Sequence, residues 1–177
     1  LDKKFNIPAK PEEIYTSALA TADYVSGLKG DRVFVVGESG LKKALTDAGC
    51  QLVDEDIDHV VVGLDRQLTY DKCEIASLAI QKGATFVATN KDTNIPTERG
   101  MSPGAGAVIA LIEKAAHVSP VFVGKPEKIM MTSALSKLDL RKQDVLMVGD
   151  NYETDIMAGI NSDIDTLLVL TGFTQRE

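Results

Sequence analysis

Tryptophan is absent from this 177-residue chain, and cysteine and histidine each occur only twice. Cys50 and Cys73 lie far apart and form no Cys-x-x-Cys pair, which argues against a zinc site and against a disulfide framework. We therefore predict two reduced core thiols in a cytoplasmic protein. His59 and His117 are isolated, and we assign no chemistry to either of them.

Long apolar runs and an excess of basic residues are also missing. No apolar stretch approaches the roughly 20 residues of a membrane-spanning helix, and residues 1–5 lack the apolar centre of a secretory leader. The chain carries 19 Lys and Arg against 26 Asp and Glu, which gives a net charge of -7. This balance argues against nucleic acid and against anionic membranes as partners.

Apolar residues recur with the period of strands and the period of helices in alternation. Strands are predicted at 33–36, 60–63, 85–88, 121–123, 145–148 and 166–170. Helices are predicted between them, opening near Pro11, Leu41, Tyr70, Ala107, Pro126 and Asp155. This alternation is typical of parallel α/β layering. The sequence therefore predicts an α/β fold with a parallel sheet.

One predicted strand, 145–148, ends in Gly149-Asp150, and a helix follows at Asp155. Asp150 is thus placed at the carboxyl end of a strand, where open α/β sheets bind their ligands. Asp155 can lean back toward the same spot, and two converging carboxylates favour a cation between them. Mg²⁺ fits, because it takes one or two carboxylates together with water and phosphate oxygens. The alternative is that Asp150 or Asn151 only caps the helix and Asp155 complements its dipole.

Gly124-Lys125-Pro126 follows the strand predicted at 121–123. With Pro126 as the first helical residue, Lys125 would place a cation at the positive end of the helix dipole. That placement is unfavourable unless an anion lies in the gap, and a phosphate oxygen would be stabilised by both the ammonium and the helix N–H groups. The alternative is a solvated lysine, with its charge moderated by the neighbouring Glu127.

Four other motifs are rejected as sites. Gly37-x-x-Gly40 is interpreted as a turn, and Gly104-x-Gly106 follows no apolar strand, so neither predicts nucleotide binding. Asp56-x-Asp58 and Asp163-x-Asp165 precede their strands, which places them at the amino edge of the sheet, opposite Asp150. In contrast, residues 89–103 form a long polar loop, and a loop of that length is more often functional than idle.

The order strand, Gly-Lys-Pro, helix, strand, Gly-Asp-x-x-x-x-Asp resembles the haloacid dehalogenase (HAD) superfamily. More narrowly, the chain resembles its NagD-like, 4-nitrophenylphosphatase-like branch. The resemblance is carried by 15–22, 88–92, 103–106, Gly124-Lys125-Pro126 and 149–156. It implies a Rossmann-like core with an inserted α/β cap of the C2 type. Residues 1–29 would be a core segment and linker helix, 30–118 the cap, and 119–177 the C-terminal part of the core.

The resemblance also implies roles for individual residues. Lys125 would steady the nucleophile and the phosphate, Asp150 would ligate Mg²⁺, and Asp155 would support the water shell of the metal. In the cap, the substrate-facing segments would be Leu64-Asp65-Arg66 and the loop 90–99. The specificity residues predicted in them are Asp65, Arg66, Asn90, Asp92 and Asn94.

The implied activity is that of a Mg²⁺-dependent phosphatase, a phosphoric monoester hydrolase that works through an aspartyl-phosphate. Its partner would be a small phosphorylated metabolite, such as a sugar phosphate, a nucleotide or a 4-nitrophenyl phosphate type of ester. We expect no nucleic acid or membrane partner and leave a homodimer open. The alternative function is a non-catalytic α/β ligand-binding or regulatory domain.

The nucleophile motif of the family, an Asp-x-Asp-Gly turn after the first strand, does not occur in these 177 residues, and neither does its Thr/Ser-Asn-Asn turn. We therefore expect the nucleophile upstream of Leu1 in a longer chain, and we predict that the 177-residue chain alone lacks phosphatase activity. The measurement is Mg²⁺-dependent hydrolysis of 4-nitrophenyl phosphate by the purified chain. Robust turnover would show that the chain holds a nucleophile of its own.

Overall fold

The computed structural model describes residues 6–176, in which helices and strands alternate along the chain. In order, the elements are α1 (Ser17–Ser26), β1 (Arg32–Val36), α2 (Ser39–Asp47), β2 (Gln51–Leu52), β3 (His59–Val62), α3 (Tyr70–Gln81), β4 (Thr85–Ala88), β5 (Asn94–Thr97), β6 (Gly100–Pro103), α4 (Ala105–Ala116), β7 (Val121–Phe122), α5 (Lys128–Leu138), β8 (Leu146–Gly149), α6 (Met157–Asn161) and β9 (Asp165–Leu168). Short 3₁₀ turns lie at Pro11–Glu13 and Lys142–Asp144, and a π-helical turn, Tyr152–Ile156, leads into α6.

Five parallel strands form the main sheet, in the order β2-β1-β3-β4-β7. Val36 pairs with Val62 in β3, Val62 with Ala88 in β4, and Ala88 with Phe122 in β7. The central strands are almost continuously buried, as expected for a parallel sheet with helices on both faces. The predicted parallel α/β fold is confirmed.

Alternate residues of each strand enter two different cores. On one face, Val36, Val62 and Phe86 pack against Ile109 and other apolar residues of α3 and α4. On the opposite face, side chains from β1, β3 and β4 pack against α1 and α2. Thus α1 packs on this sheet and β7 is one of its edge strands, although the two elements flank the region predicted as a cap. The division of the chain at 30 and 118 stays a prediction.

A separate pair of parallel strands, β8 and β9, carries the second half of the predicted site. Leu146 pairs with Asp165, and Gly149 pairs with Leu168. Leu146 and Val148 on β8 are 53% and 51% exposed, so the described part of the chain leaves this face of the pair largely uncovered.

Three secondary-structure expectations are wrong. The helix expected to open near Pro11 begins at Ser17, because Pro11–Glu13 forms only a 3₁₀ turn and the backbone is extended at Ile14. The loop predicted at 89–103 contains an antiparallel hairpin, β5–β6, in which Asn94 pairs with Pro103 and Thr97 with Gly100. The helix expected to open at Pro126 begins at Lys128, with Glu127 at its N-cap position. Lys125 therefore lies in the turn before the helix and not at the start of the helix itself.

The two thiols are confirmed as buried, free cysteines. Burial raises the pKa of both Cys50 and Cys73 above the ordinary thiol value. Within residues 6–176, no helix is both long enough and apolar enough to cross a bilayer. The cytoplasmic location stays a prediction.

Candidate active site

Lys125 and Asp155 form the central ion pair of the candidate site. Lys125 Nζ donates to Asp155 Oδ1 at 2.6 Å, and the side chains are 38% and 10% exposed respectively. The other oxygen, Asp155 Oδ2, accepts from the backbone N–H of Asn151 at 3.2 Å. A single buried carboxylate thus joins the turn after β7 to the loop after β8, although the two lie 30 residues apart in the chain.

The loop after β8 contains its own capping residue, and that residue is not Asp150. Asn151 Oδ1 accepts from the backbone N–H of Glu153 at 3.0 Å, and the main-chain oxygen of Asn151 accepts from Asp155 N at 2.8 Å. Asp150 is half-buried beside it and does not cap the turn. The capping alternative therefore does not explain Asp150 in this structure.

Asp150 is held from a different direction, by the segment that follows β9. Its Oδ2 accepts from the backbone N–H of Phe173 at 2.7 Å, and its main-chain oxygen accepts from Thr174 N at 2.9 Å. Among the hydrogen bonds of residues 6–176, none occupies Asp150 Oδ1. One carboxylate oxygen is therefore fixed by the protein, and the other remains for a ligand.

The donor set at this site suits a hard cation that needs few protein ligands. No cluster of three or more His, Cys, Asp or Glu side chains with metal-binding spacing occurs in the described range 6–176. Mg²⁺ commonly binds through one or two carboxylates and keeps water or phosphate oxygens in its other positions. Since Asp155 is bound to Lys125, Asp150 is the residue that would hold the ion directly. The residues present therefore fit Mg²⁺.

A cavity of about 290 Å³ opens beside Lys125. Its lining residues are Tyr15, Thr16, Ser17, Asn90, Asp92, Lys125, Met130 and Thr154. The structure thus brings two of the predicted specificity residues, Asn90 and Asp92, to the same cavity as the predicted phosphate-binding lysine. They are joined to each other, because Asn90 Nδ2 donates to Asp92 Oδ2 at 2.7 Å.

The segment 89–92 is packed closely against the turn that carries Lys125. Gly124 N donates to the main-chain oxygen of Thr89 at 2.9 Å, and a side chain at Gly124 would collide with that oxygen. Nearby, Lys91 Nζ pairs with Glu127 Oε1 at 2.6 Å and lies 4.9 Å from the centre of the Phe122 ring. These contacts fix the segment that carries Asn90 and Asp92 relative to the turn that carries Lys125.

The other three predicted specificity residues do not line the cavity. Asp65 is buried, and its carboxylate pairs with Lys72 Nζ at 2.7 Å. Arg66 forms an ion pair with Glu38 at 2.7 Å, and Asn94 is an exposed residue of β5. A role for these residues in specificity stays a prediction, as do the catalytic roles of Lys125, Asp150 and Asp155.

Tyr15 is one of the lining residues that sequence reasoning did not single out. Its hydroxyl donates to Asp23 Oδ2 at 2.7 Å, and Lys137 Nζ lies 5.2 Å from the centre of its ring. Burial raises the pKa of the Tyr15 phenol, and the hydrogen bond to Asp23 raises it further, so the phenol stays neutral. The ring is thus an anchored, uncharged wall of the cavity. The sequence signal that could have identified Tyr15 is its position in segment 15–22, which carries part of the family resemblance.

Comparisons with known proteins identify the family of this chain. Residues 1–51 match a family model described as haloacid dehalogenase-like hydrolase, and residues 122–177 match one described as HAD-hydrolase-like. An acid sugar phosphatase from Staphylococcus aureus is 52% identical over 177 residues, covering 99% of this chain and 68% of that protein.

Solved structures give the same result. A double mutant of thermostable NPPase from Geobacillus stearothermophilus superposes with a TM-score of 0.96 at 50% identity, over 99% of this chain and 71% of that one. NagD from E. coli K-12 superposes with a TM-score of 0.93 at 37% identity, over 98% of this chain and 68% of that one. The predicted family resemblance is confirmed. The chain belongs to the haloacid dehalogenase-like hydrolases, in the NagD-like branch of phosphoric monoester hydrolases.

Proposed function

We propose that the full-length protein is a Mg²⁺-dependent phosphatase that hydrolyses small phosphomonoesters of the sugar phosphate, nucleotide or 4-nitrophenyl phosphate type. The observation that carries this proposal is that Lys125 lines a small cavity and pairs with Asp155, which in turn binds the loop that begins at Asp150. Such a grouping supplies a cation for phosphate oxygens, a carboxylate for a metal and a space for a leaving group. The catalytic nucleophile is an Asp upstream of this chain, as in the family pattern.

The proposed reaction has two displacements at phosphorus. The upstream carboxylate forms a bond to phosphorus as the bond to the ester oxygen breaks, and the leaving oxygen takes up a proton. Water then attacks the aspartyl-phosphate, which releases inorganic phosphate and regenerates the carboxylate. Both steps concentrate negative charge on the phosphoryl oxygens, so charge stabilisation is the main task of the protein residues.

Lys125 is the residue of this chain that meets that task. Its ammonium donates to Asp155 Oδ1 at 2.6 Å, but the Lys125 side chain remains 38% exposed, so the ammonium can still donate to a phosphate oxygen as a second partner. Asp155, bound at both of its oxygens, acts as a positioning residue for Lys125 and for the Asp150 loop. Mg²⁺ bound at Asp150 would add charge neutralisation at the phosphoryl group.

The cavity supports a small leaving group. Its volume of about 290 Å³ lies at the lower end of the range of roughly 300–1,000 Å³ that is usual for ligand sites. Asn90 and Asp92 offer hydrogen-bonding groups to hydroxyls, and the Tyr15 ring offers an apolar surface. A pyranose and a nitrophenyl ring can both use such a combination. This agrees with the names of the relatives, which include an acid sugar phosphatase and a p-nitrophenyl phosphatase.

Purified full-length protein provides the test of this function. We expect hydrolysis of sugar phosphates and 4-nitrophenyl phosphate in the presence of Mg²⁺, loss of turnover after chelation, and recovery when Mg²⁺ is restored. Turnover that is indifferent to chelation would contradict the proposed cofactor. Absence of turnover on every phosphomonoester would favour the regulatory or ligand-binding alternative.

Substrate preference should depend on the polar pair. We expect Asp92→Ala to lower kcat/KM for hydroxylated sugar phosphates about tenfold or more, because a charge-assisted hydrogen bond contributes roughly 1.5–3 kcal/mol. The value for 4-nitrophenyl phosphate should stay within about twofold, since that ring has no hydroxyl to bind. Exchange of the whole segment 90–99 should reorder the substrates more strongly. Steady-state kinetics on both esters is the measurement.

Glu98→Ala is the matched control, because Glu98 is an exposed carboxylate of the same segment but lies outside the cavity. We expect this variant to keep the substrate ranking of the wild type. If Asp92→Ala and Glu98→Ala changed both esters equally, the polar pair would have no role in selecting the leaving group.

A further inference from the structure

The turn Gly172-Phe173-Thr174, called here the 172–174 turn, contacts the Asp150 loop at three points. Phe173 N donates to Asp150 Oδ2 at 2.7 Å, and Thr174 N donates to the main-chain oxygen of Asp150 at 2.9 Å. Thr174 Oγ1 accepts from Tyr152 N at 3.0 Å. Both the backbone and the carboxylate of Asp150 are therefore fixed by a segment more than 20 residues further along the chain.

Gly172 makes this approach sterically possible. A Cβ atom built at Gly172 would collide with the Asp150 carboxylate, and its closest neighbour would be Oδ2. The Phe173 side chain, in contrast, is 69% exposed. The contribution of Phe173 is thus its main-chain N–H, which almost any residue at that position would supply.

We propose that the 172–174 turn is a positioning element for the metal ligand. By holding Oδ2, it keeps the carboxylate in one orientation and leaves Oδ1 as the oxygen that Mg²⁺ can take. A carboxylate fixed before the ion arrives loses less conformational freedom on binding than one that rotates freely. This inference rests on the proposed Mg²⁺ dependence, and it assigns the turn a role that neither the Gly-Asp motif nor the Gly-Lys-Pro motif contains.

The test is calorimetric titration of the full-length enzyme with Mg²⁺ alone. We expect Gly172→Ala to raise the Kd for Mg²⁺ about 10–100-fold, the usual loss when a group that orients a metal ligand is disturbed. Turnover of Gly172→Ala at limiting Mg²⁺ should fall in parallel and should return to nearly the wild-type kcat when Mg²⁺ is raised. Recovery by excess metal separates a positioning role from a general loss of structure.

Two control variants sharpen this test. Phe173→Ala keeps the main-chain donor and should bind Mg²⁺ within about twofold of the wild type. Gly40→Ala adds a methyl group at a glycine where nothing lies within 4 Å of the added Cβ and should be silent. Should Gly172→Ala fold poorly, Thr174→Val removes only the acceptor for Tyr152 N and should raise the Kd several-fold.

Specific outcomes would overturn the inference. One is wild-type Mg²⁺ affinity in folded Gly172→Ala or in Thr174→Val. Another is a loss of turnover in Gly172→Ala that excess Mg²⁺ does not restore. In both cases the wild type would still bind Mg²⁺, so the proposed function would stand. Absence of Mg²⁺ binding by the wild type itself would overturn the proposed cofactor along with the inference.

Discussion

Asp150→Asn in the full-length enzyme is expected to weaken Mg²⁺ binding and nearly to abolish turnover. The substitution preserves shape and leaves an oxygen that can accept from Phe173 N, but it removes the negative charge that attracts a divalent ion. Because Asp150 is the direct ligand in our account, the loss should exceed the roughly 10–100-fold that changes at supporting residues cause. Calorimetric Mg²⁺ titration and kcat at saturating substrate measure the two effects separately.

Two further variants provide effects with which the loss in Asp150→Asn can be compared. Asp155→Asn should show the same kind of defect more mildly, about 10–100-fold, because Asp155 supports the site through Lys125 and Asn151. Asp163→Asn is the control, since its carboxylate lies on the surface, paired with Lys142, and should have no effect. If Asp150 were only a helix cap, Asn would replace it almost silently, since the two residues cap helices equally well.

Lys125→Met should separate the two effects: the variant should largely keep Mg²⁺ binding but lose phosphoryl transfer. The ammonium is the cation of this chain placed to neutralise the transferring phosphoryl group, and removal of one such stabilising group typically costs about 100–1,000-fold in kcat. The methionine retains most of the apolar stem, so packing around the turn should change little. Single-turnover kinetics beside the Mg²⁺ titration is the measurement.

Lys125→Arg tests whether a positive charge at this position is sufficient or whether the geometry of the ammonium is also required. It keeps a cation next to Asp155, but the planar guanidinium presents its donors differently from an ammonium. We expect Mg²⁺ binding as in the wild type and turnover between those of Lys125→Met and the wild type. A Lys125→Met enzyme with wild-type turnover would show that this ammonium does not contact the phosphate.

The central strands of the sheet could be predicted from sequence because they are apolar and rich in β-branched residues, whereas the two-residue edge strand β2 (Gln51–Leu52) was missed. The strand predicted at 85–88 is β4 (Thr85–Ala88) as observed, and the runs 33–36 and 60–63 match β1 and β3 within one residue at each end. The hairpin β5–β6 could not be predicted in this way. Its residues are mostly exposed and include two prolines and a glycine, so they lack the hydrophobic alternation that marks a half-buried strand.

Within the site, the residues could be predicted but not all of their contacts. Strand-end position identified Asp150, and a local inconsistency in helix electrostatics identified Lys125. The structure shows no such inconsistency. The helix begins at Lys128, so Lys125 lies before its first turn, and the charge of Lys125 is paired with Asp155. Tertiary packing makes this pair, and no local pattern encodes a contact 30 residues apart.

Contacts made by main-chain N–H groups and by buried ion pairs also could not be predicted from the sequence. Phe173 acts through its N–H, which leaves no trace in the choice of side chain. The family resemblance predicts Asp65 as a substrate-facing residue at the end of a strand, but its carboxylate is bound to Lys72, seven residues later. The position of a residue at a strand end therefore predicts its location better than it predicts its partner.

The most direct test of the central claim is a crystal structure of the full-length enzyme with Mg²⁺ and an inert phosphate mimic. Our account predicts Mg²⁺ at about 2.0–2.1 Å from Asp150 Oδ1, with Phe173 N still bound to Oδ2. It also predicts an oxygen of the mimic on Lys125 Nζ, with the remainder of the cavity beside Asn90 and Asp92 open for the leaving group. A metal bound elsewhere, or a mimic that does not contact Lys125, would contradict it.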